Sequence, residues 1–218
     1  MSDAILIQQI YPDTPGVAML EMVKDHSQAY CDKHDIAYLN MALNPIPNSD
    51  PLQGSWGKVE LIKRALAEGY KYVIWLDADT LITDFDTDLR DAIQPGKIGA
   101  CWHRIPQLNH WNVGALYVSN TPETRAFIDE WLASYPPPAD GWMEQGVFNR
   151  LGMKSNVVVT LSDKWNATID VNMVPDVVVL GFHGQGDTAY RINEMRQTLD
   201  RLFPAQKAEM PQGTREVT

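Results

Sequence analysis

Tyr72-Val73-Ile74-Trp75-Leu76 runs without a break into Asp77-Ala78-Asp79-Thr80. Five consecutive apolar residues suit a strand buried on both faces, as in a parallel sheet covered by helices. Aspartate is a poor strand former, so the pair marks the strand's carboxyl end, where open α/β sheets bind ligands. Residues i and i+2 of an extended segment point the same way, about 6.6 Å apart. Two carboxylates so close repel unless a positive charge lies between them. A hard divalent cation answers that need and commonly binds substrate phosphates as well. The alternative is that Asp77 and Asp79 cap a turn leading to Asp84.

Around this stretch the pattern alternates. Residues 4–7, 36–39, 98–101, 113–118, 157–161 and 177–180 read as further strands. Between them lie helical patterns. One opens at Thr14-Pro15, with Val17, Leu20, Val23 and Ser27 at helical spacing. A second covers 57–68, burying Val59, Ile62 and Leu66, with Gly69 as its C′ residue. A third starts at Thr121-Pro122, presents Phe127, Ile128, Trp131 and Leu132, and must stop before Pro136-Pro137-Pro138. A fourth spans 143–151 and ends at Gly152, and a last one uses Ile192, Met195, Leu199 and Leu202 before Pro204. The first third is therefore β-α-β-α-β, which predicts an α/β, Rossmann-like fold with a central, mostly parallel sheet flanked by helices. Residues 1–204 read as one domain and 205–218 as a polar, frayed tail. Residues 44–54 form the longest loop candidate, of a length that often serves function.

Composition removes several classes. Of 218 residues, 44% are apolar and 21% charged, as in ordinary globular chains, which excludes wholesale disorder and collagen-like repeats. No apolar run is long enough to span a bilayer, and the start lacks the pattern of a signal peptide. Cys31 and Cys101 are too few for a disulfide scaffold or a cysteine-based zinc site. A net charge of −10 argues against a broad electrostatic grip on nucleic acid. The expectation is a cytoplasmic protein of bacterial or viral origin.

Two families place such an aspartate pair at a strand end. Asp77-Ala78-Asp79-Thr80-Leu81 is locally similar to the motif of haloacid-dehalogenase-like phosphatases, which would make Asp77 a nucleophile in a Mg²⁺-dependent phosphatase. That motif usually lies near the N-terminus, whereas two β-α units precede it here. Gly186-Asp187-Thr188 also lacks the further acid such a site needs downstream. The second resemblance extends over most of the chain. Trp56-Gly57-Lys58, Asn112-Val113-Gly114, Trp142-Met143-Glu144-Gln145 and Gly181-Phe182-His183-Gly184 follow in the order seen in GT-A-fold glycosyltransferases. The chain resembles the galactosyl/mannosyltransferases of fungal and plant Golgi and, more distantly, the glycogenin-type enzymes. It departs from them in three ways. No N-terminal membrane anchor is expected from its opening residues, Val113 stands where Thr or a small polar residue is usual, and the Lys that often follows the terminal His is absent, leaving Arg191 as the nearest cation.

The resemblance implies a hexosyltransferase that uses a UDP- or GDP-sugar and Mn²⁺ or Mg²⁺, with retention of anomeric configuration. The acceptor hydroxyl would lie on a glycan or on a modified nucleobase, DNA entering only as acceptor. It implies Asp77, Asp79 and His183 as metal ligands, Asp77 also touching the ribose, and a mixed carboxylate/imidazole set favours Mn²⁺. Tyr11, after the first strand, would stack on the nucleobase, and Gly184 would line the nucleotide site. Lys58 opens a helix, where its charge opposes the dipole, which predicts a phosphate or acidic partner. Asn112 and Gln145 would hydrogen-bond sugar hydroxyls. Glu144 would steady an oxocarbenium-like centre or accept the acceptor's proton. Each has a plainer alternative: Tyr11 covers the core edge, Lys58 is solvated, Glu144 favours a helix N-terminus, and His183 sits beside a glycine-punctuated turn. Trp102, His103, Trp111 and Trp142 cluster near these motifs and suggest aromatic platforms for a sugar or base.

Overall fold

The structure is a computed structural model and describes residues 2–10, 16–42, 55–105, 108–136, 143–183 and 187–204. In chain order these form β1 (Ala4–Ile10), α1 (Val17–His34), β2 (Ala37–Ala42), α2 (Gly57–Ala67), β3 (Tyr72–Leu76) and β4 (Thr80–Ile82). There follow β5 (Ile98–Ile105), β6 (Leu108–Ser119), α3 (Pro122–Ala133), α4 (Met143–Gly152), β7 (Val158–Leu161), β8 (Ala167–Thr168), β9 (Val179–Gly181) and α5 (Thr188–Leu202). Thr14, Pro15 and the whole 44–54 loop lie outside the described residues, as does the 205–218 tail.

The main sheet has the order β2-β1-β3-β6-β5-β7. β1, β2, β3, β5 and β7 run in one direction and β6 alone runs against them, so the expected mostly parallel sheet is present. β6 extends well beyond the expected 113–118, because its first residues, Leu108-Asn109-His110-Trp111-Asn112, show no apolar run. β4, β9 and β8 make a second, small sheet that hydrophobic patterning did not resolve, since two of its strands have only three and two residues.

Local chemistry sets the helix ends. Thr121 caps α3 and exchanges hydrogen bonds with Thr124, with Pro122 in the first turn. After α2 the chain turns through Gly69 at φ +93°, a conformation that side chains rarely adopt. There Gly69 N–H donates to Leu66 O and Tyr70 N–H to Ala65 O, satisfying two carbonyls at the helix end.

Alternating side chains divide the core across the main sheet. Ile5, Ile7, Val73 and Trp75 pack with Ile62 of α2, Phe127 of α3 and Phe148 of α4. Ala4, Leu6, Ile74 and Leu76 pack with Tyr30 and Cys31 of α1 on the other face. A third cluster joins the small sheet to α1 and α5 through Leu20, Leu81, Phe182 and Met195. Among the described residues no helix is long and apolar enough to cross a membrane.

Candidate functional site

The site lies where β3 ends. Asp77 follows β3 directly, and its amide donates to Gly114 O of β6 at 2.7 Å, so the first aspartate is fixed by the strand pairing itself. Asp79 stands in the turn before β4, and Phe182 N–H donates to its carbonyl at 2.9 Å. The pairing of β4 with β9 therefore brings His183 beside the aspartates. Ligand atoms of Asp77, Asp79 and His183 all lie within 4.8 Å of one another, the arrangement anticipated for a cation. His183 Nδ1 is 3.2 Å from Asp79 Oδ1. Two atoms that ligate one cation at about 2.1 Å and at right angles stand about 3 Å apart, so this separation suits a shared ion.

Glycines make room for the imidazole. A Cβ on Gly114 would strike His183 Cε1 and lie 2.8 Å from Asn112 Oδ1. A Cβ on Gly181 would fall on the same ring, 2.6 Å from Cδ2. Gly181→Ala is expected to push His183 away from the aspartates. Divalent-cation binding should weaken by about 10- to 100-fold, with overpacking costing about 1–3 kcal/mol. Calorimetric Mn²⁺ titration beside a melting curve checks both effects.

Lys58, the second residue of α2, is 3% exposed. Its ammonium lies 3.0 Å from Asp77 Oδ1, 2.9 Å from Val113 O and 3.4 Å from Glu144 Oε1. The partners are acidic, one of the two alternatives its helix-start position left open. Burial works against its charge, but the Asp77 and Glu144 carboxylates overcome that and raise its pKa. Trp75 Nε1 donates to the same Asp77 oxygen at 2.7 Å, so both interactions fall on Oδ1 and neither on Oδ2. Asp79 also carries a second cation: Arg191 of α5 donates to its Oδ2 at 2.8 Å. Burial raises the Asp79 pKa, yet His183 and Arg191 prevail and hold it at about 2. Burial likewise opposes charge on His183, and Asp79 reverses this, raising its pKa.

Asn112, Gln145 and Glu144 meet on the β6 side. Between the pairs Gly99↔Tyr117 and Cys101↔Asn112, β6 takes five steps where β5 takes two, so its backbone there leaves the ladder. Side chains take over the hydrogen bonds. Val113 N–H donates to Gln145 Oε1 at 3.1 Å, and Gly114 N–H donates to Asn112 Oδ1 at 2.7 Å. Both amide oxygens are thus occupied within the protein. Glu144 is 7% exposed, at the start of α4, with its carboxylate on Lys58.

Tyr11, Gly184 and Trp142 lie outside the described residues. Trp111 departs from the sugar-platform expectation. It is 9% exposed, stacks edge-on with Trp102, and donates to Thr160 Oγ1 at 2.9 Å. Strand parity is the reason: Trp111 and Val113 face the α4 side of the sheet, opposite to Asn112. His103 is 3% exposed, and burial lowers its pKa to about 4, so it is neutral near pH 7. Two residues at the site went unassigned by sequence. Asn166, wholly buried, reaches His183 Nε2 at 3.1 Å, and Arg191, noted only as the nearest cation, anchors Asp79.

Residues 5–102, a little under half of the chain, match the model of the galactosyl transferase GMA12/MNN10 family. No curated protein sequence matches significantly. Among solved structures, a glycosyltransferase involved in the glycosylation of the major capsid of PBCV-1 is similar over 89% of this chain and 99% of that one. Its TM-score is 0.69, at 15% identity. The apo-form glycosyltransferase GlyE of Streptococcus pneumoniae TIGR4 gives a TM-score of 0.54 at 13% identity, over 89% of this chain and 63% of that one. Mouse xyloside xylosyltransferase 1 gives 0.50 at 11% identity, over 83% and 98%. The fold is that of GT-A glycosyltransferases.

Proposed function

We propose that this chain, a glycosyltransferase by its family match and its fold, moves a hexose from a UDP- or GDP-sugar to a hydroxyl of a glycan, using Mn²⁺ or Mg²⁺. The observation that carries the reading is the convergence of Asp77, Asp79 and His183 within 4.8 Å. Those three residues would hold the cation. When bound, it supplies Lewis-acid stabilisation to the diphosphate leaving group.

The chain's own residues do the remaining work. Lys58 offsets the charge of Asp77 and, with Trp75, fixes Oδ1, so that Oδ2 is engaged by neither of them. Asn112 and Gln145, their oxygens already used, offer their amide N–H groups to oxygens of the donor sugar. Glu144 acts through Lys58, keeping the ammonium in place. Tyr11 and Gly184 complete the nucleotide side of this reading, and transfer proceeds with retention. A glycan acceptor is preferred to a modified base in DNA because the net charge of −10 repels a polyanion. A glycan acceptor also fits the capsid-glycosylating neighbour. The phosphatase alternative is not favoured, since family match and fold both point to sugar transfer.

The test is thermal stabilisation by a panel of nucleotide sugars, with and without Mn²⁺. A donor at about 100 times its Kd should add about 2.7 kcal/mol to the folded state. The expected result is a shift with one UDP- or GDP-sugar that vanishes on chelation. A panel with no shift, or one indifferent to metal, would sink the proposal.

A further inference from the structure

Asn166 belongs to no motif, yet it joins two parts of the site. It lies between a 3₁₀ turn at Asp163–Trp165 and β8, with none of its surface exposed. Its side-chain amide spans Asn112 and His183, and the orientation of every group in this relay follows from one end. The Gly114 amide can only donate, so the Asn112 atom 2.7 Å from it is the carbonyl oxygen. Asn166 approaches that same oxygen at 3.0 Å and must present its NH₂ there. Its own Oδ1 is thereby turned towards His183 Nε2, 3.1 Å away. An amide oxygen only accepts, so Nε2 carries a proton. The backbone adds restraint, because Asn166 N–H donates to Asp163 O at 3.2 Å and Asn172 Nδ2 donates to Asn166 O at 3.3 Å.

We infer that Asn166 is a positioning residue: it holds His183 with the proton on Nε2 and makes Nδ1, the nitrogen 3.2 Å from Asp79 Oδ1, the atom that ligates the cation. The inference rests on the reading of Asp77, Asp79 and His183 as metal ligands. It adds that ligand orientation is tied to Asn112, so the metal side and the sugar side of the site share one amide relay.

The experiment uses the full chain labelled with ¹⁵N-histidine and titrated with ¹¹³Cd²⁺, a diamagnetic stand-in for Mn²⁺. A ¹¹³Cd–¹⁵N coupling at His183 Nδ1, with a protonated Nε2, is expected, and a coupling at Nε2 overturns the inference. In parallel, Mn²⁺ affinity is measured by electron paramagnetic resonance of the free ion. Asn166→Ala should lose about 10- to 100-fold. Asn166→Asp, which still accepts from Nε2–H but has no donor for Asn112 Oδ1, should fall between wild type and Asn166→Ala. Unchanged affinity in Asn166→Ala, or equal losses in both variants, would mean that the amide only fills space, and the inference falls. A wild-type chain that binds neither ion removes the metal reading itself, and this inference with it.

Discussion

His183→Ala and Asp79→Ala are each expected to abolish Mn²⁺-dependent stabilisation by the nucleotide sugar. Each removes one of the three ligand atoms that the described residues gather within 4.8 Å, leaving two of those points of attachment for a cation that also has to hold a diphosphate. The loss should exceed the roughly 10- to 100-fold typical of a missing outer partner. The variants differ in what else they disturb. His183→Ala vacates a space bounded by Gly114 and Gly181 and, among the described residues, breaks one ion-pair contact, that with Asp79. Asp79→Ala also releases Arg191, and with it a tie between α5 and the β3–β4 turn. Its acid behaviour should change as well. Asp79 has a folded pKa lowered from 3.8 to about 2, so its charge stabilises the fold above pH 3.8, and that contribution is lost as pH falls through about 2. Asp79→Ala should therefore remove part of the wild-type fall in stability between those values. Ligand-dependent melting and acid denaturation monitored by circular dichroism measure these effects. A His183→Ala protein that kept its metal-dependent shift would show that the imidazole is no ligand.

Lys58→Met should be the most destabilising single change in the site, at about 3 kcal/mol. Removing one member of a buried ion pair commonly costs about 3–5 kcal/mol, because the partner stays buried and unpaired. Here two partners are stranded, Asp77 and Glu144, together with the Val113 carbonyl. The lower end applies because the Asp77 side chain is one-third exposed and can regain water, whereas that of Glu144 is only 9% exposed. Adding Glu144→Gln to Lys58→Met should therefore recover part of the loss. The coupling in that double-mutant cycle, read from urea denaturation, should be clearly non-zero. Additive effects would mean that Glu144 and Lys58 do not sense each other. Donor binding should fall in Lys58→Met even where the protein remains folded, since Asp77 loses one of its two Oδ1 restraints.

Residues whose position is stated by their immediate neighbours were legible in the sequence. Asp77 and Asp79 announce a strand end because five apolar residues precede them, and His183 does so after 177–180. Thr121-Pro122 and Gly69 mark helix ends through local hydrogen bonding and backbone freedom. Contacts between distant segments were not legible. Lys58 reaches Glu144 across 86 positions, and Arg191 reaches Asp79 across 112, and no periodicity encodes such meetings. Asn166 sits in a turn whose only local feature is polarity. The direction of β6 was equally hidden, because alternation of apolar side chains is the same whichever way a strand runs. Trp111 misled for a related reason. Its proximity to Asn112 in sequence is what sends it to the opposite face of the sheet.

Val113 sits between Asn112 and Gly114, at a position where a polar side chain would be the usual choice. Its own side chain is 2% exposed and packs in the core beneath α2 and α4. What it gives the site is a peptide group, whose carbonyl meets Lys58 and whose amide hydrogen meets Gln145. The letter written at position 113 is thus addressed to the hydrophobic interior, while the site reads only the main chain behind it. A sequence comparison that scored this motif by its middle residue would be grading the packing of the core, and two proteins that differ there can present the same main-chain hydrogen bonds to Lys58 and Gln145.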